Sequence, residues 1–158
     1  MLLTDEELLR FNKHILLDDI DVEGQALLKD KHIILIGLGG LGSPLAYYLA
    51  SSGIGQITLV DDDIIDTTNL QRQILYSVDD VGKRKVDIAK LKMKKLSPDM
   101  KIIFKSERLV STSEVNYFRD VDLIIDASNL LLIFNDQKDE TLDPLLEKAI
   151  AETNPNFD

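Results

Sequence analysis

A near-continuous β-branched and apolar run, Lys31-His-Ile-Ile-Leu-Ile-Gly37, passes directly into Gly37-Leu-Gly39-Gly-Leu-Gly42 and then into helix-forming sequence. A strand that is apolar throughout is buried on both faces, as in a parallel sheet. The glycines between strand and helix let the backbone approach a ligand closely. They also aim N–H groups and the positive end of a helix at phosphate oxygens. The helix is predicted over Leu41 to Ser52, with Pro44 in its first turn, where a missing N–H costs little, and with Gly53 and Gly55 as its stop.

The remaining chain repeats this alternation. Gln56 to Asp61 reads as a second strand, Lys83 to Leu96 as a helix stopped by Ser97-Pro98, Lys101 to Lys105 as a third strand, Thr112 to Phe118 as a short helix and Val121 to Asp126 as a fourth strand. Thr4-Asp-Glu-Glu7 has the spacing of a capping box and predicts an N-terminal helix, with a second short helix around Gly24 to Leu28. The expected fold class is α/β: a Rossmann-like, doubly wound, mostly parallel sheet with N-terminal helices. Asp62 to Gly82 is polar and without period apart from a short helix expected near Leu70 to Leu75; such irregular stretches in compact domains tend to be functional. The expected domain covers residues 1–128. Residues 129–158 form a divergent acidic tail, with weak helical periodicity from Leu142 to Ala151, that is part of the same domain or frayed.

Composition narrows the partners. A chain of 158 residues suits one domain with a real core. It holds no apolar run of about 18 residues and does not open on a basic-then-apolar leader, so a cytoplasmic protein that does not enter a membrane is expected. Zero cysteines remove disulfides, cysteine-bound zinc and a thiol nucleophile from these residues. The net charge is −10, with eight acids against three bases in residues 1–30 and seven against two in residues 129–158. Nucleic-acid binding is therefore not expected, and the basic run Lys83 to Lys95 reads as the solvated face of a helix, Lys85 excepted.

Asp61, at the carboxyl end of the second strand, stands where an acid accepts hydrogen bonds from ribose hydroxyls. To this point NAD and ATP fit equally. The next segment, Asn69-Leu-Gln-Arg72-Gln73 followed by Gly82-Lys-Arg-Lys85, adds cations and amides beyond the ribose-binding acid. A dinucleotide's pyrophosphate is already neutralised by the glycine loop. A triphosphate carries about two further charges, and displacing pyrophosphate from it needs Arg, Lys and usually Mg²⁺. Nucleotidyl transfer is the better fit.

Together, Gly37-Leu-Gly39-Gly40-Leu-Gly42, Asp61-x-Asp63, Asn69-Leu-Gln-Arg72-Gln73, Gly82-x-x-Lys85 and Asp126 resemble the ubiquitin-activating-enzyme superfamily in its ThiF/MoeB/HesA branch, over about residues 5–128. Leu9-Arg-Phe-Asn-Lys13-His14 and Gly24 to Lys29 resemble that branch's N-terminal helices. The resemblance implies an adenylyltransferase that uses ATP and Mg²⁺ on the C-terminal glycine of a ubiquitin-like sulfur-carrier protein ending in Gly-Gly, and a homodimer. It implies that Gly40 lies against the phosphates, that Asp61 holds the ribose and Asp63 supports its loop, and that Asn69, Arg72 and Lys85 hold the phosphates. Lys13 matches the family's arginine that reaches into the partner subunit's ATP site, keeping the charge without the bidentate fork.

The family continues its fourth strand as Asp-Cys-Thr-Asp-Asn, whose second Asp binds Mg²⁺. Here the run is Asp126-Ala-Ser-Asn129-Leu130, so a neutral amide takes the metal position, and beyond it the chain no longer aligns. A shortened adenylating domain that binds ATP but turns over slowly or not at all is the expectation. The alternatives are a catalytically degenerate nucleotide-binding or dimerisation module and, less favoured, an NAD-dependent oxidoreductase.

Overall fold

The computed structural model describes residues 2–106 and 120–128. Three short helices, α1 (Asp5–Arg10), α2 (Asn12–Ile15) and α3 (Asp21–Leu28), precede β1 (His32–Ile36), α4 (Gly42–Ser51), β2 (Gln56–Val60), α5 (Lys85–Leu96), β3 (Lys101–Lys105) and β4 (Leu123–Asp126). The four strands form one parallel sheet in the order β3-β2-β1-β4. That is the expected α/β architecture, with β1 central and apolar because both its faces are covered.

Alternation along each strand divides the core. Ile33, Leu35, Ile57, Leu59 and Ile102 pack with Ala46 and Ala50 of α4 and with Val86, Ala89 and Met93 of α5. Ile34, Ile36 and Val60 point the other way, against Val121 and Ile124. Burial of the larger aliphatic side chains here contributes roughly 1.5–3 kcal/mol each, the main favourable contribution to the fold.

Thr4 caps α1 as its spacing predicts: Glu7 N–H donates to the threonine hydroxyl and the Glu7 carboxylate accepts from Thr4 N–H. The helices α1 to α3 sit at the amino-terminal edge of the sheet. There Gln25 donates to Ser52 O at 2.9 Å, and Arg10 donates to the carbonyl of Leu96 at the end of α5.

Three local expectations need correction. The helix near Leu70 to Leu75 is absent; a 3₁₀ turn lies earlier, at Thr67–Asn69, because the Asp66 carboxylate accepts Thr68 N–H at 2.8 Å and fixes the start there. The helix α5 begins at Lys85, since Lys83 and Arg84 are held against Ile64 and Ile65: Ile65 N–H donates to Lys83 O, and Ile64 bridges Arg84. Finally, β4 begins at Leu123, as Asp122 is used to accept the N–H of His32 and the ammonium of Lys31. The helix expected over Thr112 to Phe118 and the periodicity at Leu142 to Ala151 lie outside the described residues.

Candidate functional site

The sheet order reverses between β1 and β4, and open α/β sheets bind ligands outside the carboxyl ends of the strands at such a reversal. The glycine loop emerges there. Gly37 has φ +85°, and a Cβ on it would come within 2.8 Å of Ser128 N and 2.9 Å of the Ala127 carbonyl. On Gly42 a Cβ would lie 1.9 Å from Gly37 O, so the loop closes back on its own start. Gly39 and Gly40 differ: the nearest atoms to their Cβ positions are Gln73 Nε2 at 3.8 Å and Arg72 Cδ at 3.6 Å, which is ordinary contact. The outer glycines are needed by the fold. The inner two leave backbone open to a ligand.

Asp61 ties this loop to the second strand. Its Oδ2 accepts Leu38 N–H at 2.6 Å and its Oδ1 accepts Asp63 N–H at 2.8 Å. Burial holds its carboxyl above the usual range, opposed by those two N–H groups and by the Lys85 charge. Lys85 is almost fully buried and its ammonium lies 2.5 Å from the exposed Asp63 carboxylate. Lys85 N–H also donates to Asp63 O, so the first turn of α5 and the Asp61–Asp63 segment are held together twice. A buried cation whose ion pair among the described residues faces solvent is poised to be shared with an anion arriving from that side.

Residues 69–76 lie over the loop. Arg72 N–H and Gln73 N–H both donate to Asn69 O, and Tyr76 N–H donates to Gln73 O, winding the segment tightly. The Tyr76 hydroxyl donates to Leu38 O at 3.0 Å, Gln73 faces Gly39, and the stem of Arg72 crosses Gly40. The loop is thus matched residue for residue by the turn above it. The Arg72 guanidinium, donating to Thr68 O at 3.2 Å, remains exposed, and Asn69 donates to the Thr68 hydroxyl. Gln73 and Tyr76 were not singled out from sequence as loop supports. Gln73 shares the motif of Arg72, which is the one sequence signal that points to it, and Tyr76 lies three residues beyond that motif.

Asp126 ends β4 beside the loop and its Oδ1 accepts both Ser128 N–H and the Ser128 hydroxyl. One carboxylate oxygen from each of Asp61, Asp62 and Asp63 can be grouped within 4.8 Å, but Lys85 and two backbone N–H groups already engage two of these residues. Asn129 lies outside the described residues. Lys13 is exposed on α2, next to His14, which contacts Gln25 at 2.9 Å; that is the amino-terminal edge of the sheet, opposite its own chain's glycine loop. Both histidines have structural partners, His32 between Thr58 and Asp120 O.

The comparisons with known proteins agree with this geometry. The model of the ThiF family matches residues 11–130. A probable molybdopterin-synthase adenylyltransferase of Porphyra purpurea is 48% identical over 124 residues, 78% of this chain and 32% of that protein. The sulfur carrier protein ThiS adenylyltransferase of Escherichia coli is 36% identical over 127 residues, 80% of this chain and 51% of that protein. Among solved structures, the E. coli tRNA N6-threonylcarbamoyladenosine dehydratase TcdA in complex with ATP superposes with a TM-score of 0.72 at 28% identity, covering 81% of this chain and 52% of that one. The chain spans about a third to a half of the length of these relatives. With the parallel sheet, the glycine loop at its reversal and the family match spanning both, the chain belongs to the ThiF family.

Proposed function

We propose that residues 1–128 are the ATP-binding unit of an adenylyltransferase that activates the C-terminal glycine of a ubiquitin-like sulfur-carrier protein. The observation that carries this reading is the turn lying across the glycine loop, with Arg72 against Gly40 and the buried Lys85 beside it. In this reading the phosphates lie on Gly37, Gly39, Gly40 and Gly42, and Asp61 turns its remaining acceptor capacity to the ribose. Asp63 releases part of its hold on Lys85 to the nucleotide, and Asn69, Arg72 and Lys85 bear the charge that grows on pyrophosphate. A carrier carboxylate oxygen attacks the α-phosphorus, the bond from that phosphorus to the bridging oxygen breaks, and the electron pair leaves with pyrophosphate. ThiS, which the E. coli relative adenylylates by name, exemplifies the partner class.

Mg²⁺ binding rests on a sparse donor set. Asp126 offers an exposed carboxylate already engaged by Ser128, and Asn129 offers a neutral amide, so this chain adds little to the hold that phosphates and water have on the ion. That feature favours a second reading, a nucleotide-binding or dimerisation module that does not turn over. Lys13 is assigned to the partner subunit's nucleotide in a homodimer, because its own loop is at the opposite edge of the sheet. No helix among the described residues is long and apolar enough to cross a membrane, and a cytoplasmic location is proposed.

Pyrophosphate exchange with a carrier ending in Gly-Gly separates the two readings: exchange supports the transferase, and ATP binding without exchange supports the module. A rise in melting temperature with NADH but not with ATP would overturn both. Light scattering that shows a monomer at high concentration would remove the role of Lys13.

A further inference from the structure

Two buried side-chain polar atoms have no hydrogen-bond partner among the described residues, Gln73 Oε1 and Ser43 Oγ, and both belong to residues that border Gly39. Gln73 is 3% exposed, and its Nε2 lies 3.8 Å from the Cβ position of Gly39. Ser43 is fully buried in the first turn of α4, and its N–H donates to Gly39 O at 2.9 Å. Buried polar atoms are nearly always paired, because leaving one without a partner forfeits its hydration for nothing. Two such atoms flanking one glycine of a ligand loop mark strain held for another state of the site. They are also complementary, since a hydroxyl can donate and a carboxamide oxygen can only accept.

We infer that Gln73 is a positioning residue for the nucleotide: when a nucleoside triphosphate seats on the loop, the Ser43 hydroxyl donates to Gln73 Oε1, directly or through one ordered water, and locks the 69–76 turn onto Gly39. The inference rests on the ATP reading above and deepens it. Arg72 adjoins Gln73, and both residues hang from the Asn69 carbonyl. Seating the carboxamide therefore fixes the Asn69 and Arg72 side chains over the phosphates. The empty protein carries the unpaired atoms, and the occupied protein pairs them.

The test uses the full chain, ATP as probe, and the variants Gln73→Met, Ser43→Ala and the double substitution, with ATP affinity by calorimetry and the melting temperature of the free protein as separate readouts. Methionine keeps the length and volume of Gln73 while removing its hydrogen-bonding atoms. The expected result is an unchanged or raised melting temperature in the absence of ligand, because an unpaired buried polar atom is removed, together with about tenfold weaker ATP binding. In the double variant the loss should not exceed that of either single one. A role confined to the free fold would give the opposite split, a lowered melting temperature with ATP affinity intact, and would overturn the inference. So would additive losses from the two single substitutions. Failure of the unaltered chain to bind ATP would overturn the nucleotide reading itself, whereas tight binding by Gln73→Met would overturn this inference alone. Ser43→Ala, the smaller change, supplies the same split should Gln73→Met not fold.

Discussion

Leu38 N–H donates to the Asp61 carboxylate at 2.6 Å across 23 residues of sequence, while the carbonyl of the same residue accepts from Tyr76 at 3.0 Å. Both peptide groups that flank the Leu38 side chain are therefore held by side chains of other segments. The glycine loop is fixed before any ligand arrives.

Removing the upper contact should loosen the loop without emptying the core. Tyr76→Phe keeps the ring and leaves Leu38 O without its donor, so a loss of about 1–2 kcal/mol in urea denaturation is expected, with ATP binding weakened a few-fold. Burial already keeps the phenol protonated at any pH the protein tolerates, so the effect should not vary between pH 6 and 9.

Asp61→Ala removes the lower contact and the proposed ribose acceptor together. The expected outcome is a loss of stability in the free protein and a further loss of about 1–3 kcal/mol in ATP binding. If stability falls but ATP affinity does not, the carboxylate serves the loop only.

The glycines should separate into two kinds. Gly37→Ala requires a side chain at φ +85° and a contact of 2.8 Å with the backbone of Ser128, so it should cost more than about 2 kcal/mol or prevent folding. Gly40→Ala meets only ordinary contact with Arg72 and should fold with near-native stability; it should bind ATP poorly if, as proposed, the phosphates approach the loop at that residue. Thermal melts of both variants with and without ATP read the difference.

Acid should unfasten one particular ion pair. Burial would raise the Asp80 carboxyl, but the Lys92 ammonium at 2.7 Å and the two Ser77 donors outweigh it and bring the group from 3.8 to about 2. A carboxylate with a depressed pKa stabilises the fold above its unfolded value, and that contribution is lost as pH falls from 3.8 towards 2. The pair borders solvent, so on the order of 1–2 kcal/mol is expected. Wild type and Asp80→Asn should differ in stability at pH 6 and converge below the lower limit.

The metal position gives the last prediction. Asn129→Asp restores a carboxylate where the sequence motif calls for one, and the Mg²⁺ dependence of ATP affinity should steepen. Calorimetric titrations of ATP with and without Mg²⁺ on both chains check this; equal Mg²⁺ dependence would show that residue 129 does not reach the ion.

Much of this was legible from sequence where short-range rules act alone. The β-branched run of β1, the glycines after it and the Thr4 cap are local signals, and each is realised within two residues of its expected bounds. Legibility failed where distant residues decide. Lys83 and Arg84 read as the first turn of a helix, yet Ile64 and Ile65 draw them into a pairing that no period encodes. Leu70 to Leu75 carries apolar residues at helical spacing, but Leu75 and Tyr76 are buried in the main core, with Leu38 and the strand residues, without forming a helix. Lys85 is the reverse case: one lysine in a basic run is buried because Asp63 lies in wait 22 residues earlier, and motif spacing alone distinguished it.

The order of the sheet also sets a timetable for the nascent chain. The strand that completes one side of β1 arrives late: Asp122 meets His32 across 90 residues, and Gly37 gains its Ala127–Ser128 wall only after β4 has been made. Closure over so long a span is slow compared with the pairing of β1 and β2. A ribosome-bound chain that stops short of β4 therefore has its glycines and Asp61 but lacks one wall of the cleft. Nucleotide binding should begin only once β4 has cleared the exit tunnel, so the cleft is completed by a segment made some 90 residues after the start of β1.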